Sequence, residues 1–121
     1  MVIPVYNEAA ALPACLDALA AQTVPPLEVI VVDNNSSDNS AAVAARYPFA
    51  KVLSEPRQGV VHARDRGFEA ARGEIIGRID ADTKVRADWV ENLQSIFAAK
   101  PKPIAVTGSV AYGHGFFVEL A

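Results

Sequence analysis

The stretch "LEVIVVD", residues 27–33, is an almost continuous apolar run that ends on a carboxylate. A run of that length without polar alternation is the pattern of a strand covered on both faces. Directly behind it, "NNSSDNS" (34–40) carries turn and cap chemistry and leads into a helix over about 40–47. A buried strand that breaks into polar residues and then into a helix is half of a strand–helix–strand unit.

The same alternation runs outward in both directions. Upstream, "VIPVY" (2–6) is a short strand candidate. Leu12, Cys15, Leu16 and Leu19 follow at the spacing of one helix face, with Pro13 tolerable only in the first turn. Downstream, "AKVLS" (50–54) reads as a third strand and "EPRQG" (55–59) as a loop. Val60, Ala63, Gly67, Phe68 and Ala71 mark a third helix face, with Gly73 as its C-terminal cap. "EIIGRID" (74–80) reads as a fourth strand, and Trp89, Val90, Leu93 and Phe97 mark a fourth helix. "PKP" (101–103) stops that helix, and "IAVTGSV" (104–110) is a fifth strand candidate. There is no repeat and no low-complexity linker. This βαβαβαβαβ order predicts an α/β fold: three layers, α/β/α, around a mostly parallel sheet.

Composition narrows the function classes. The 121 residues suffice for one domain with a core, and 51% hydrophobic content argues against disorder. A net charge of −3 gives no basic field, so nucleic acid is not an expected partner. The single cysteine, Cys15, allows no internal disulfide and fits a reducing, cytoplasmic compartment. No signal peptide is expected, and no apolar stretch is long enough to span a membrane.

In open α/β sheets, ligands sit at the carboxyl ends of the strands. Here those ends read Tyr6-Asn7-Glu8, Asp33-Asn34-Asn35 and Asp80-Ala81-Asp82. Asp80 and Asp82 are one residue apart, so an extended backbone points both to one side. Two carboxylates suit Mg²⁺ or Mn²⁺ arriving with a diphosphate; in the bland reading they cap a turn and the next helix. Asp33 either accepts from a pyrimidine N3–H or closes an Asx-turn, and Asp38 reads as a helix cap. Tyr6 either covers a base or packs with its hydroxyl in water. Arg64 either meets a phosphate or base carbonyl, or pairs with a surface acid such as Asp65. His62 and His114 have no metal-ligand spacing, and Cys15 and Trp89 read as core. The first turn, "VYNEAAALP", lacks glycine, which rules out a dinucleotide-binding turn. A nucleotidyl- or phosphotransferase would use the same two-carboxylate metal logic but needs a phosphate-binding loop, and no G-x-x-x-x-G-K is present, which ranks that reading below the others.

"VIPVYNE", "VIVVDNNSSDNS", "GVVHARDRGFEAARGEIIGRIDADT" and "ADWVENL" together resemble successive blocks of the family 2 glycosyltransferases over nearly all of residues 2–110. The resemblance implies the Rossmann-like GT-A fold, a nucleotide-diphospho-sugar donor and inversion at the anomeric carbon. It implies that Pro4 and Tyr6 line the base pocket and that Glu8 helps shape the donor site. It further implies that Asp33 accepts from the base, that Arg64 contacts the nucleotide, that Asp80 faces the ribose and metal region, and that Asp82 holds Mn²⁺ or Mg²⁺ on the diphosphate. The acceptor would be a glycan or lipid-linked sugar in polysaccharide, glycolipid or cell-envelope synthesis. Many relatives work at the cytoplasmic face of a membrane, although these residues show no membrane attachment.

The sequence departs from the family in two places. Asp65 stands where an asparagine is expected after Arg64, and after "VTGSV" the acidic general-base block has no match. The expectation is therefore a donor-binding portion over 1–110 and a tail, 111–121, that begins an acceptor-side half. The general base is expected beyond Ala121. The alternative is a nucleotide- and metal-binding module without catalytic competence.

Overall fold

The computed structural model describes residues 1–99 and 105–107. Three strands, β1 (Val2–Val5), β2 (Val29–Asp33) and β3 (Ala50–Ser54), form a parallel sheet in the order β1-β2-β3. Val5 lies beside Asp33, and Asp33 beside Ser54, so all three strands end at one edge. The helices are α1 (Leu12–Ala20), α2 (Ser40–Ala45), α3 (Val60–Ala70) and α4 (Trp89–Ala98).

Strand alternation divides the core between the two faces of the sheet. Ile3, Val5, Val29 and Val31 pack with Leu12, Cys15, Leu16 and Leu19 of α1, Val43 and Ala44 of α2, and Trp89 and Val90 of α4. On the other face Ile30 and Val32 pack with Ala63 of α3. The three layers, the helix positions and the buried places of Cys15 and Trp89 agree with the sequence reading. Pro13 does sit in the first turn of α1. Gly67 explains how closely α3 approaches the sheet: a Cβ at this position would collide with Cγ1 of Val2.

Two expectations need correction. Residues 74–80 form no strand. They touch the sheet through a single parallel bridge, Val2 to Arg78. The Val2 N–H donates to the Gly77 carbonyl (2.8 Å) and the Ile79 N–H to the Val2 carbonyl (3.2 Å). The next rung would need an N–H from Pro4, which has none, so the ladder stops after one residue. Nor is Gly73 the cap of α3. The helix ends at Ala70, and Ala71 leaves it in an extended conformation. The expected fifth strand, 104–110, lies outside the described residues except for 105–107, which are not strand. The expected tail, 111–121, and His114 also lie outside them.

After Asp80 the chain does not enter a helix directly but runs alongside α1. The Cys15 thiol lies 3.8 Å from the Asp80 carbonyl. Further on, the buried side chain of Gln22 donates to the carbonyls of Ala18 (3.0 Å) and Arg86 (2.6 Å) and accepts from the Val90 N–H (2.9 Å). One amide thus joins the end of α1 to the start of α4.

Candidate functional site: the carboxyl edge of the sheet

The chain turns sharply where β1 and β2 end. Asn7 and Asn35 both adopt left-handed backbone conformations, with φ of 51° and 60°. Asparagine tolerates this region better than other side-chain-bearing residues. The two turns are tied together by hydrogen bonds. The Asn7 side-chain oxygen accepts from the Ser37 N–H (2.7 Å), and the Asn7 N–H donates to the Ser36 hydroxyl (3.0 Å). The Glu8 N–H donates to the Ser40 hydroxyl (3.0 Å), and the Ala9 N–H donates to Asp38 (3.1 Å). Asp38 also accepts the Ser40 N–H, but the N-cap of α2 is Asn39 and no side chain caps the helix, so Asp38 closes a local turn into α2 rather than capping it as expected. Its carboxyl is held below the usual range, chiefly by the Ser40 hydroxyl bond.

A second knot joins β2 to the loop between β3 and α3. Asn34 is buried, and its amide donates to the carbonyls of Glu55 (2.8 Å) and Arg57 (2.7 Å) while its oxygen accepts from the Gly59 N–H (2.8 Å). Gly59, at φ 134°, takes a conformation open mainly to glycine and releases the chain into α3. Below this loop the buried Glu55 carboxylate holds Arg57. The sequence shows Asn34 only as part of a polar strand end and Glu55 only as part of a loop. Their partners are backbone atoms or a neighbour two residues on, which no motif announces.

Between the two knots lies a cleft of about 160 Å³, lined by Pro4, Val5, Tyr6, Asn34, Gln58, Val60 and Ala63. Pro4 and Tyr6 thus come together in the lining of one cleft. Asp33 follows the register of Val29 and Val31, on the α1 side of the sheet, and its Oδ1 is buried without a hydrogen-bond partner. A buried, unpaired carboxylate oxygen is uncommon and marks a place where a donor is wanted. Glu8 is half-buried at the first turn.

Asp80 and Asp82 are both exposed and flank the buried Ala81. They sit on a turn closed by the Thr83 N–H to the Asp80 carbonyl (3.0 Å), rather than on the extended segment the sequence suggested. Both still lie close enough to α1 to act on one thiol. Burial, reinforced by the charges of Asp82 and then Asp80, pushes Cys15 up to about 12. Asp80 also pairs with Arg78 at 2.8 Å. Among the described residues no group of three metal-ligating side chains exists. Arg64, on α3, lies 3.7 Å from Asp65, the surface pairing the sequence had left open.

The sequence pattern of glycosyl transferase family 2 matches residues 1–119. The chain belongs to that family, and its three-layer architecture is the GT-A fold. A glycosyltransferase of Escherichia coli K12, YibD, is 33% identical over 100 residues, covering 79% of this chain and 29% of the relative. Among solved structures, the mannosyltransferase PcManGT of Pyrobaculum calidifontis, in complex with GDP-Man and Mn²⁺, superimposes with a TM-score of 0.76 at 30% identity. That match covers 88% of this chain and 32% of the other. Glucosyl-3-phosphoglycerate synthase of Mycobacterium tuberculosis, in complex with Mn²⁺, UDP and glucosyl-3-phosphoglycerate, gives 0.64 at 27% identity, covering 74% and 36%. The chain spans about a third of the length of these relatives. Among the described residues no helix is long and apolar enough to cross a membrane.

Proposed function

We propose that this chain is the donor-binding portion, residues 1–110, of an inverting glycosyltransferase that takes a sugar from a nucleotide diphosphate. The observation that carries the reading is Asp33. Its Oδ1 is buried and unpaired at the carboxyl end of β2, where a nucleobase N–H would supply the missing donor. Tyr6 and Pro4 line the cleft on the α3 side of the same sheet edge, so a base held by Asp33 would lie across that edge with its ring bounded by them, and Glu8 would shape the turn beside them. Arg64 would contact the nucleotide, and its planar fork of donors suits phosphate or a base carbonyl. Support for a nucleotide-sugar donor comes from the GDP-Man and UDP complexes of the two structural relatives.

Asp82, with Asp80 beside it, would hold Mn²⁺ or Mg²⁺ against the donor's diphosphate. A cation there offsets the negative charge that the leaving nucleotide gains as the glycosidic bond breaks. Because Ala81 is buried between them, the two carboxylates are anchored to the core while their oxygens face solvent. The acceptor hydroxyl would attack from the opposite side of the sugar ring, which gives inversion. The acceptor class we propose is a glycan or lipid-linked sugar, with the protein working on the cytoplasmic side of a membrane.

Calorimetric titration with UDP, GDP and dTDP, each with and without Mn²⁺, tests this. Metal-dependent binding of one of them is expected. Binding of none would overturn the donor-site reading. The variant Asp82→Ala is expected to lose the metal dependence. If it bound nucleotide as tightly as the parent with the same metal response, the metal assignment would be wrong.

A further inference from the structure

Exposed apolar side chains gather at the cleft. Tyr6 is 54% exposed and Val60 56%, and both line it. They come from different elements: Tyr6 directly follows β1, and Val60 is the first residue of α3. Both supports are rigid. The turn at Asn7 is pinned by Ser36 and Ser37, and the entry to α3 is pinned by the Asn34–Gly59 hydrogen bond. Pro4, Val5 and Ala63 complete its apolar lining, Asn34 is taken up by its own bonds to Glu55, Arg57 and Gly59, and Gln58 brings an exposed amide to the margin. Apolar walls with an amide at the margin match a flat heteroaromatic ring, which has apolar faces and a polar edge.

We propose that Val60 is a further binding residue of the base slot, supplying the apolar surface that works with Tyr6 to hold the nucleobase. The inference rests on the donor-site reading above and adds a residue to it. Its logic is burial. A valine left half-exposed on a fixed helix end gives up surface to water in the free protein and regains the loss when a ring covers it. Val61, the next residue, is 49% exposed but does not line the cleft. The helix rotates its side chain away, so it serves as an internal control.

The experiment titrates wild type, Val60→Ala and Val61→Ala with UDP, GDP and dTDP in Mn²⁺, and with pyrophosphate in Mn²⁺. Both positions are surface positions, so both variants should fold, as a matched melting temperature will show. For the nucleotide that binds wild type, Val60→Ala should weaken affinity about fivefold, the loss expected from uncovering two methyl groups in part. Pyrophosphate binding should stay unchanged, as should everything about Val61→Ala. Val60→Ala binding nucleotide like wild type would overturn the inference and leave the donor reading standing. An equal loss for pyrophosphate would also overturn it, since the effect would then lie outside the base slot. A wild type that binds no nucleotide would overturn both.

Discussion

The buried carboxylate of Glu55 holds the guanidinium of Arg57 side-on, with the two Glu55 oxygens 3.0 Å from Nε and Nη2, while the Arg57 N–H donates to the same carboxylate at 2.8 Å. Bidentate geometry with a charge-assisted backbone bond is the strong form of an ion pair. The Arg57 side-chain bonds, and then its N–H, bring Glu55 down from an ordinary 4.5 to about 2. A depressed carboxyl contributes stability that is present above its unfolded value and is lost as pH falls toward its folded value. This pair should therefore leave stability flat from pH 7 to 5 and erode it between about pH 4.5 and 2. Thermal melts across that range should show Glu55→Gln starting less stable at pH 7 and declining less steeply in acid. Parallel curves would contradict the assignment.

Asn34 is the other fixture of this loop. Replacing it with alanine leaves two carbonyls and one N–H without partners in a buried place. The expected cost is roughly 2–3 kcal/mol, the penalty typical of unsatisfied buried polar groups. Urea denaturation measures it. Hydrogen exchange at Gly59 should quicken more than at β2, because the amide hydrogen bond lost is the loop's own.

Gly67 sets the distance between α3 and β1. In Gly67→Ala the new methyl collides with Cγ1 of Val2, a fully buried side chain. Overpacking of this kind costs roughly 1–3 kcal/mol. Val2→Ala alone should also destabilise, through the cavity it leaves. The double variant should be more stable than the sum of the two single effects predicts, and the double-mutant cycle reads that coupling directly.

The parts of this molecule legible in the sequence are those set by periodicity. The run at 27–33 and the α1 face of Leu12, Cys15, Leu16 and Leu19 each signal through local spacing. Strand 74–80 misled because its apolar residues imitate a strand, while what decides it is the missing N–H of Pro4, some seventy residues earlier. Among site residues, Tyr6, Asp33 and the acidic pair were visible as polar or aromatic strand ends, and Pro4 only through the family resemblance. Asn34 was visible as a strand end but its role was not, because it and Gln22 work on backbone atoms that the fold brings near, and Glu55 was not, because an acid two residues before an arginine is no motif. The left-handed Asn7 and Asn35 were equally silent, since nothing local distinguishes them from other turn asparagines.

Arg64 and Asp65 give the last test. The 3.7 Å separation of their charged groups leaves the Arg64 guanidinium engaged with its own neighbour rather than wholly available to a ligand. Both side chains are substantially exposed, and such a surface pair is worth at most about 1 kcal/mol. A nucleotide phosphate competing for Arg64 must displace that interaction, and Asp65 also adds a negative charge that repels the ligand. Asp65→Asn removes both effects without changing shape. If Arg64 contacts the nucleotide, Asp65→Asn should tighten nucleotide diphosphate binding roughly two- to fivefold, a factor consistent with so weak a pair. The gain should shrink as salt is raised, because exposed charges are screened. In an Arg64→Ala background the same change should yield only the smaller benefit of removing the repelling charge. An equal gain in both backgrounds would show that Asp65 acts on the ligand directly and that Arg64 plays no part in holding it.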